Sequence, residues 1–132
     1  MILVIDDSPE DLFFHRRLIR KIDPGAAITE FTYAEQALDF IENLRNGLIT
    51  LILLDINLPR IDGFEFLRRY DTMRQLNGAP KIYVMSGSID PNDRAAATAL
   101  ASVDGYLSKP LRLAALQKVL WTAGQSGQTA PL

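Results

Sequence analysis

The chain has 132 residues, with 14 basic and 16 acidic side chains, a net charge of −2 and a pI near 5.3. That size suits one domain with its own core, and the charge balance leaves no footprint for nucleic acid. There is no cysteine, which excludes disulfides, thiolate metal sites and thiol chemistry. No apolar stretch is long enough to span a bilayer, and the start of the chain reads as a strand with no room for a leader, so the expected compartment is the cytoplasm.

Ile2 to Ile5 is a short apolar run that ends in Asp6-Asp7. Ser8-Pro9-Glu10-Asp11 then supplies a capping residue, a proline for the first helical position and acids for the first turn. The spacing predicts a helix from Pro9 to Ile22 with Leu12, Phe14, Leu18, Ile19 and Ile22 on its inner face. Phe13 falls opposite them among Arg16, Arg17 and Arg20, an exposed aromatic beside a basic stripe. Asp23-Pro24-Gly25 breaks the helix. Ala27 to Tyr33 reads as a second strand. Ala34 to Arg45 reads as a second helix, ended by Asn46-Gly47.

Leu51-Ile52-Leu53-Leu54 runs straight into Asp55. An apolar run of this length fits a strand buried on both faces, about Thr50 to Asp55, and Pro59 keeps it from going further. After the Asp62-Gly63 turn, a helix is expected from Phe64 to Leu76, with Phe64, Leu67, Tyr70 or Asp71, and Leu76 inward. Asn77-Gly78-Ala79-Pro80 stops it. Lys81 to Met85 is a fourth strand, ending in Ser86-Gly87-Ser88. Asp90-Pro91 opens a fourth helix. Val103 to Leu107 is a fifth strand, and Ser108-Lys109-Pro110 leads into a last helix from Leu111 to Ala123. Residues 124–132 are small and polar and read as a flexible tail after a domain of residues 1–123.

Strands alternating with amphipathic helices imply an α/β domain: a five-stranded parallel sheet with five helices on its two faces, doubly wound into a three-layer sandwich. With strand order 2-1-3-4-5, strands one, three and four place Asp6, Asp7, Asp55 and Ser86 at the topological switch point, with Lys109 just after strand five. Carboxylates crowded there repel one another, and a hard divalent cation such as Mg²⁺ relieves the repulsion. An aspartate beside Mg²⁺, a lysine and a serine hydroxyl is poised to accept a phosphoryl group.

Asp6-Asp7, Asp55, Ser86 and Lys109-Pro110, together with Asp62-Gly63 and Tyr106, closely resemble a response-regulator receiver domain of the single-domain, CheY-like chemotaxis type. The resemblance spans Ile2 to Ala123 and implies the flavodoxin-like sandwich. It implies that Asp55 takes a phosphoryl group from a histidine kinase or a histidine phosphotransfer protein. It implies Mg²⁺ held by Asp7, Asp55 and the Asn57 backbone carbonyl, with Asp6 acting through water. Lys109 would pair with Asp55 and then with a phosphoryl oxygen, and the Lys109-Pro110 peptide would be cis. Ser86 and Tyr106 would form the conformational switch. The protein is then a stand-alone signalling switch with intrinsic autodephosphorylation, not an enzyme. It would act on an unknown downstream protein or pass the group along a relay, as a monomer or a phosphorylation-dependent dimer.

Taken singly, each residue has a plainer reading. Asp6 and Asp7 fit helix caps, Ser86 a turn, Lys109 a solvated cation and Tyr106 a half-buried core aromatic. Only the joint pattern favours the site. His15 reads as a boundary residue near the edge of the buried face, Asp62 and Asp93 as caps or surface charges, and Trp121 as packing. Phe13 is the one residue outside the motif that suits a docking contact for a kinase helix pair, against the alternative of an exposed apolar residue without consequence. Three other classes compete. An aspartyl-phosphate enzyme of the haloacid-dehalogenase type would need its nucleophile after strand one. A flavodoxin-like electron carrier would need a phosphate cradle where Asp6-Asp7-Ser8-Pro9-Glu10 stands. A degenerate receiver serving only as a phosphorylation-independent binding module would not need the intact acids and Lys109. Ser88 supplies no carboxamide to orient an attacking water.

Overall fold

The computed structural model describes residues 1–44, 48–73, 80–87 and 91–124. Its elements are β1 (Ile2–Ile5), α1 (Pro9–Ile22), β2 (Ile28–Phe31), α2 (Ala34–Asn43) and β3 (Leu51–Asp55). They continue as α3 (Gly63–Asp71), β4 (Lys81–Ser86), α4 (Pro91–Thr98), β5 (Gly105–Ser108) and α5 (Leu113–Thr122). The five strands form one sheet in the order β2-β1-β3-β4-β5, and every pairing is parallel. The expected doubly wound sandwich is therefore the observed one.

Alternation along the strands sorts the core into two layers. Leu3, Ile5, Ile52, Leu54, Ile82 and Val84 point to one face, where they meet Ala37, Leu38 and Ile41 of α2 and Phe66, Leu67 and Tyr70 of α3. Ile2, Val4, Leu51, Leu53 and Met85 point to the other face, onto Leu12 and Ile19 of α1 and Leu116, Val119 and Leu120 of α5. Strand β3 lies between two neighbours, and its five residues are all buried. Removing each of its four aliphatic side chains from water stabilises the fold by about 1.5–3 kcal/mol.

The first helix starts where the sequence places it. The Ser8 hydroxyl accepts a hydrogen bond from the Asp11 N–H at 3.2 Å, Pro9 opens the helix, and Arg20 and Lys21 sit against the negative end of its dipole. Asp62 caps α3 by accepting from the Glu65 N–H at 2.9 Å, which bears out its reading as a cap. Other boundaries shift. Strand β2 is shorter than the predicted Ala27 to Tyr33. Strand β5 begins at Gly105 instead of Val103 because Asp104 is used as a clasp: its N–H donates to the Ile82 carbonyl at 2.7 Å, and its carboxylate accepts from the Ile82 N–H at 2.8 Å. In α3 the inner face is Phe66, Leu67 and Tyr70, while Phe64 is only half-buried. In α1, Phe14 was expected inside and is 40% exposed, because His15 takes the buried position beside Leu12 and Ile19. Trp121 was expected to pack and is 48% exposed. The predicted stops at Asn46-Gly47 and at residues 77–79, the end of α3 at Leu76, Ser88, the Asp90 cap and the tail beyond Gly124 lie outside the described residues.

Gly63 ties the fold to the end of β3. Its N–H donates to the Ile56 carbonyl at 2.9 Å, and a Cβ at this position would stand 2.8 Å from both the Asp55 carbonyl oxygen and the Ile56 Cα. Backbone cannot yield as a side-chain tip can. Gly63→Ala is therefore expected to lower the urea midpoint, at unchanged m value, by the equivalent of about 1–3 kcal/mol. It should also shift the amide resonances of Asp55 to Asn57.

Candidate functional site

The same alternation that builds the core also aims the polar residues. Continuing the parity of Ile2 and Val4, Asp6 leaves β1 on the α1/α5 face. Asp55 follows Leu51 and Leu53, and Lys109 follows Leu107, to that same face. The three side chains meet there. The Lys109 Nζ donates to Asp6 Oδ2 at 2.7 Å, to Asp55 Oδ2 at 3.0 Å and to Asp11 Oδ2 at 3.0 Å. Asp6 is fully buried and Asp55 is 5% exposed. The Lys109-Pro110 peptide is cis, as expected.

Each carboxylate is held in place by the chain around it. Asp6 Oδ1 accepts from the Ser8 N–H at 3.0 Å, and its Oδ2 faces the His15 Nε2 at 3.0 Å. Asp55 Oδ1 accepts from the Asn57 N–H at 2.9 Å. One carboxylate oxygen from each of Asp6, Asp7 and Asp55 lies within 4.8 Å of the others, and Asp7 is exposed at the mouth. An all-oxygen donor set with one solvent-facing carboxylate fits a hard, partly hydrated cation of the Mg²⁺ type. Ser86 has the parity of Val84 and points to the opposite face, where the Asn57 Nδ2 approaches its hydroxyl to 3.5 Å. Tyr106 is half-buried on that face under the Arg94 guanidinium, 5.2 Å from its ring centre.

The family model of the response regulator receiver domain matches residues 2–120. The chain belongs to the response regulator receiver domain family. A two-component response regulator from Cytophaga hutchinsonii superposes with a TM-score of 0.84 at 29% identity, covering 92% of this chain and 94% of that one. The KDP operon transcriptional regulatory protein KdpE of Escherichia coli K12 is 39% identical over 99 residues, 68% of this chain and 42% of its own length. The cyclic di-GMP phosphodiesterase response regulator RpfG of Xanthomonas campestris is 31% identical over 111 residues, 84% of this chain and 28% of its own length. The chain thus spans less than half the length of either curated relative. Among the described residues, no helix of the receiver is long and apolar enough to cross a membrane.

The receiver's charges are unequally comfortable. Burial opposes the Lys109 ammonium, but the hydrogen bonds it donates to Asp6, Asp55 and Asp11 outweigh that and raise its pKa well above the usual lysine value. Burial likewise opposes the Asp6 carboxylate, yet His15, Lys109 and the Ser8 N–H together lower its pKa. Asp55 is different. Burial raises its pKa, the Asn57 N–H and Lys109 pull it down only in part, and the Asp6 charge adds to the rise. The Lys109–Asp55 pair therefore favours the cation while burial still opposes the anion.

Two participants escaped the sequence. His15, expected at the boundary, is 1% exposed, and its ring donates to a carboxylate that can only accept, which assigns the proton to Nε2. Its Nδ1 is buried with no hydrogen-bond partner among the described residues. Nine residues separate it from Asp6, and continuing the strand parity past Ile5 to Asp6 and onto the helix was the signal that could have found it. Asp11 looked like an ordinary acid of a first helical turn, and nothing local distinguishes it.

The signs of these shifts are testable. A carboxyl whose pKa is raised in the fold costs stability above that pKa, and the cost vanishes as pH falls below its ordinary value. Asp55→Asn is therefore expected to stabilise the metal-free receiver at pH 7 by about 1 kcal/mol in thermal unfolding, with the gain disappearing under acid conditions. Asp6 has the opposite sign: its contribution is full above the ordinary carboxylate value and is lost as pH falls through its lowered one. Removing its ring donor leaves a buried acceptor short of a partner, so His15→Phe is expected to cost about 1–3 kcal/mol in denaturant titration.

Proposed function

We propose that the chain is a phosphoacceptor switch, with Asp55 as the residue that receives the phosphoryl group from a histidine kinase or a histidine phosphotransfer protein. The observation that carries this reading is the Lys109 ammonium held 3.0 Å from an almost buried Asp55, beside two further carboxylates that suit a hard cation. Burial holds the Asp55 carboxyl above the ordinary carboxylate range, a perturbation of the kind that gathers at functional sites. The P–N bond to the donor imidazole breaks, the imidazole nitrogen keeps the electron pair, and a P–O bond to the Asp55 carboxylate forms. Asp7, Asp55 and the Asn57 carbonyl would hold Mg²⁺ directly and Asp6 through water. When bound, that ion supplies charge neutralisation for the transferring oxygens.

In this reading Lys109 moves its hydrogen bond from the Asp55 carboxylate to a phosphoryl oxygen. The Ser86 hydroxyl is drawn towards the added charge, and Tyr106 takes up the space it leaves. The surface of α4, β5 and α5 changes in consequence, which is a population shift biased by a local charge. Output then runs through a protein partner or a phosphorelay, as a monomer or a phosphorylation-dependent dimer, in the cytoplasm, with autodephosphorylation resetting the switch. Phe13 is 52% exposed, with the Arg16 and Arg17 guanidinia each 5.7 Å from its ring centre. An apolar tip rimmed by cations suits a donor's helix pair.

Incubation with acetyl phosphate, read by intact mass, should show one Mg²⁺-dependent phosphoryl group on wild type and none on Asp55→Asn or in EDTA. A folded wild type that gains no group under any condition would put the phosphorylation-independent binding module in its place. Phe13→Ala is expected to slow transfer from the cognate kinase about tenfold while leaving acetyl phosphate labelling unchanged. Equal slowing of both reactions would assign Phe13 to the fold.

A further inference from the structure

The crevice holds one more carboxylate than phosphoacceptance needs. Asp11 Oδ2 stands 3.0 Å from the Lys109 Nζ, as close as Asp55 Oδ2 and little further than Asp6 Oδ2 at 2.7 Å. An ammonium has three N–H donors and no acceptor, so these three carboxylates saturate it. A phosphoryl oxygen arriving at Asp55 can be gripped only if one of the three contacts is given up.

The three are not equally easy to release. Asp6 is fully buried and is also held by the Ser8 N–H and by His15. Asp55 is the acceptor itself and stays within reach whichever oxygen is used. Asp11 has a side chain 44% exposed to solvent, so water takes over its hydrogen bonds when Lys109 leaves. Its place is fixed by the helix cap, where its own N–H donates to the Ser8 hydroxyl at 3.2 Å. The parity that sends Lys109 to the α1 side of the sheet is what brings the ammonium to this residue.

We propose that Asp11 is a positioning residue that holds Lys109 in the resting receiver and competes with the incoming phosphoryl group for it. The inference rests on Asp55 as the acceptor. Asp11 thereby sets how readily the site takes the group and how tightly it keeps it. It acts in two directions at once. By sharing the ammonium with Asp6 and Asp55 it weakens the hold of Lys109 on each of them and leaves them freer for a cation, and by occupying one N–H of the ammonium it opposes a phosphoryl-like anion.

Calorimetric titration separates this from simpler explanations. Beryllofluoride in saturating Mg²⁺ serves as the phosphoryl mimic, measured on wild type, Asp11→Asn and Glu10→Gln. The last makes the same change of net charge at an exposed neighbour. Mg²⁺ alone is titrated into wild type, Asp11→Asn, Lys109→Gln and the double variant. Asp11→Asn is expected to bind beryllofluoride about three- to fivefold more tightly and Mg²⁺ more weakly by a similar factor, the scale of a half-exposed ion pair. Glu10→Gln should change neither appreciably, and the Mg²⁺ effect of Asp11→Asn should shrink once Lys109 is gone. Weaker beryllofluoride binding by Asp11→Asn would overturn the proposal, making Asp11 a support that Lys109 needs. An equal effect from Glu10→Gln, or a Mg²⁺ effect undiminished without Lys109, would also overturn it, leaving only bulk charge. A folded wild type that binds no beryllofluoride would bring down the reading of Asp55, and this inference with it. When wild type binds beryllofluoride, each of those overturning results brings down the role of Asp11 alone.

Discussion

One ammonium surrounded by carboxylates is the constraint on which the rest of the structure depends. Two of its partners, Asp6 and Asp55, lie almost wholly out of water, where an unpaired charge would cost several kcal/mol. The chain cannot bring β1 and β3 together without also bringing these two acids together, since both sit one step beyond paired strand residues: Ile5 stands opposite Leu54. Lys109 makes that juxtaposition affordable. It does not make it comfortable for Asp55, whose pKa remains raised. The protein therefore folds around a site that retains a preference for additional positive charge beside Asp55. Structural stability and chemical readiness draw on the same three side chains.

Much of this was legible in the residues. The apolar run from Leu51 to Leu54 has to be a strand buried on both faces, and Pro59 has to end its extended path, so the position of Asp55 at a strand tip follows from composition alone. Ser8 with Pro9, and Asp62 with Gly63, mark helix starts by mechanisms that act locally, and the structure has helices there. The misplacements share a cause. Phe14 and His15 are adjacent, and helical periodicity with a hydrophobicity scale gives the buried place to the phenyl ring. The polar end of β1 reverses that choice, because Asp6 needs a donor more than the core needs another aromatic. Trp121 was assigned to the core on the same scale, yet Leu116, Val119 and Leu120 already fill the inner face of α5. Burial of a particular side chain is decided by what it faces across the fold, and a single-helix pattern does not contain that information.

Asp11 shows the same limit from the other direction. Nothing in a first-turn aspartate announces a partner 98 residues away, since an acid near a helix N-terminus is favourable for its own reasons. The contact becomes readable only when strand parity is followed past the end of β5, where Lys109 inherits the direction of Leu107.

That parity also divides labour between the two faces. Asp6, Asp55 and Lys109 gather on the α1/α5 side, while Ser86 and Tyr106 turn towards the side of α4. Charge is handled on one side and packing on the other. The two are joined at the strand ends, where the Lys109 N–H donates to the Ser86 carbonyl at 2.9 Å and Asn57 gives its backbone N–H to Asp55 while its side-chain amide approaches the Ser86 hydroxyl. In the proposed switch, a change of charge at Asp55 has no need of the apolar core, which is close-packed and resists small displacements. The short polar contacts at the rim of the sheet offer that switch its route to the opposite face. The proposed sensor there, Ser86, is buried and small, and Tyr106 beyond it is only half-buried under a surface cation. A ring with one side in the core and the other against Arg94 can exchange environments at low cost. A fully packed aromatic in the same position would hold the two faces in one state.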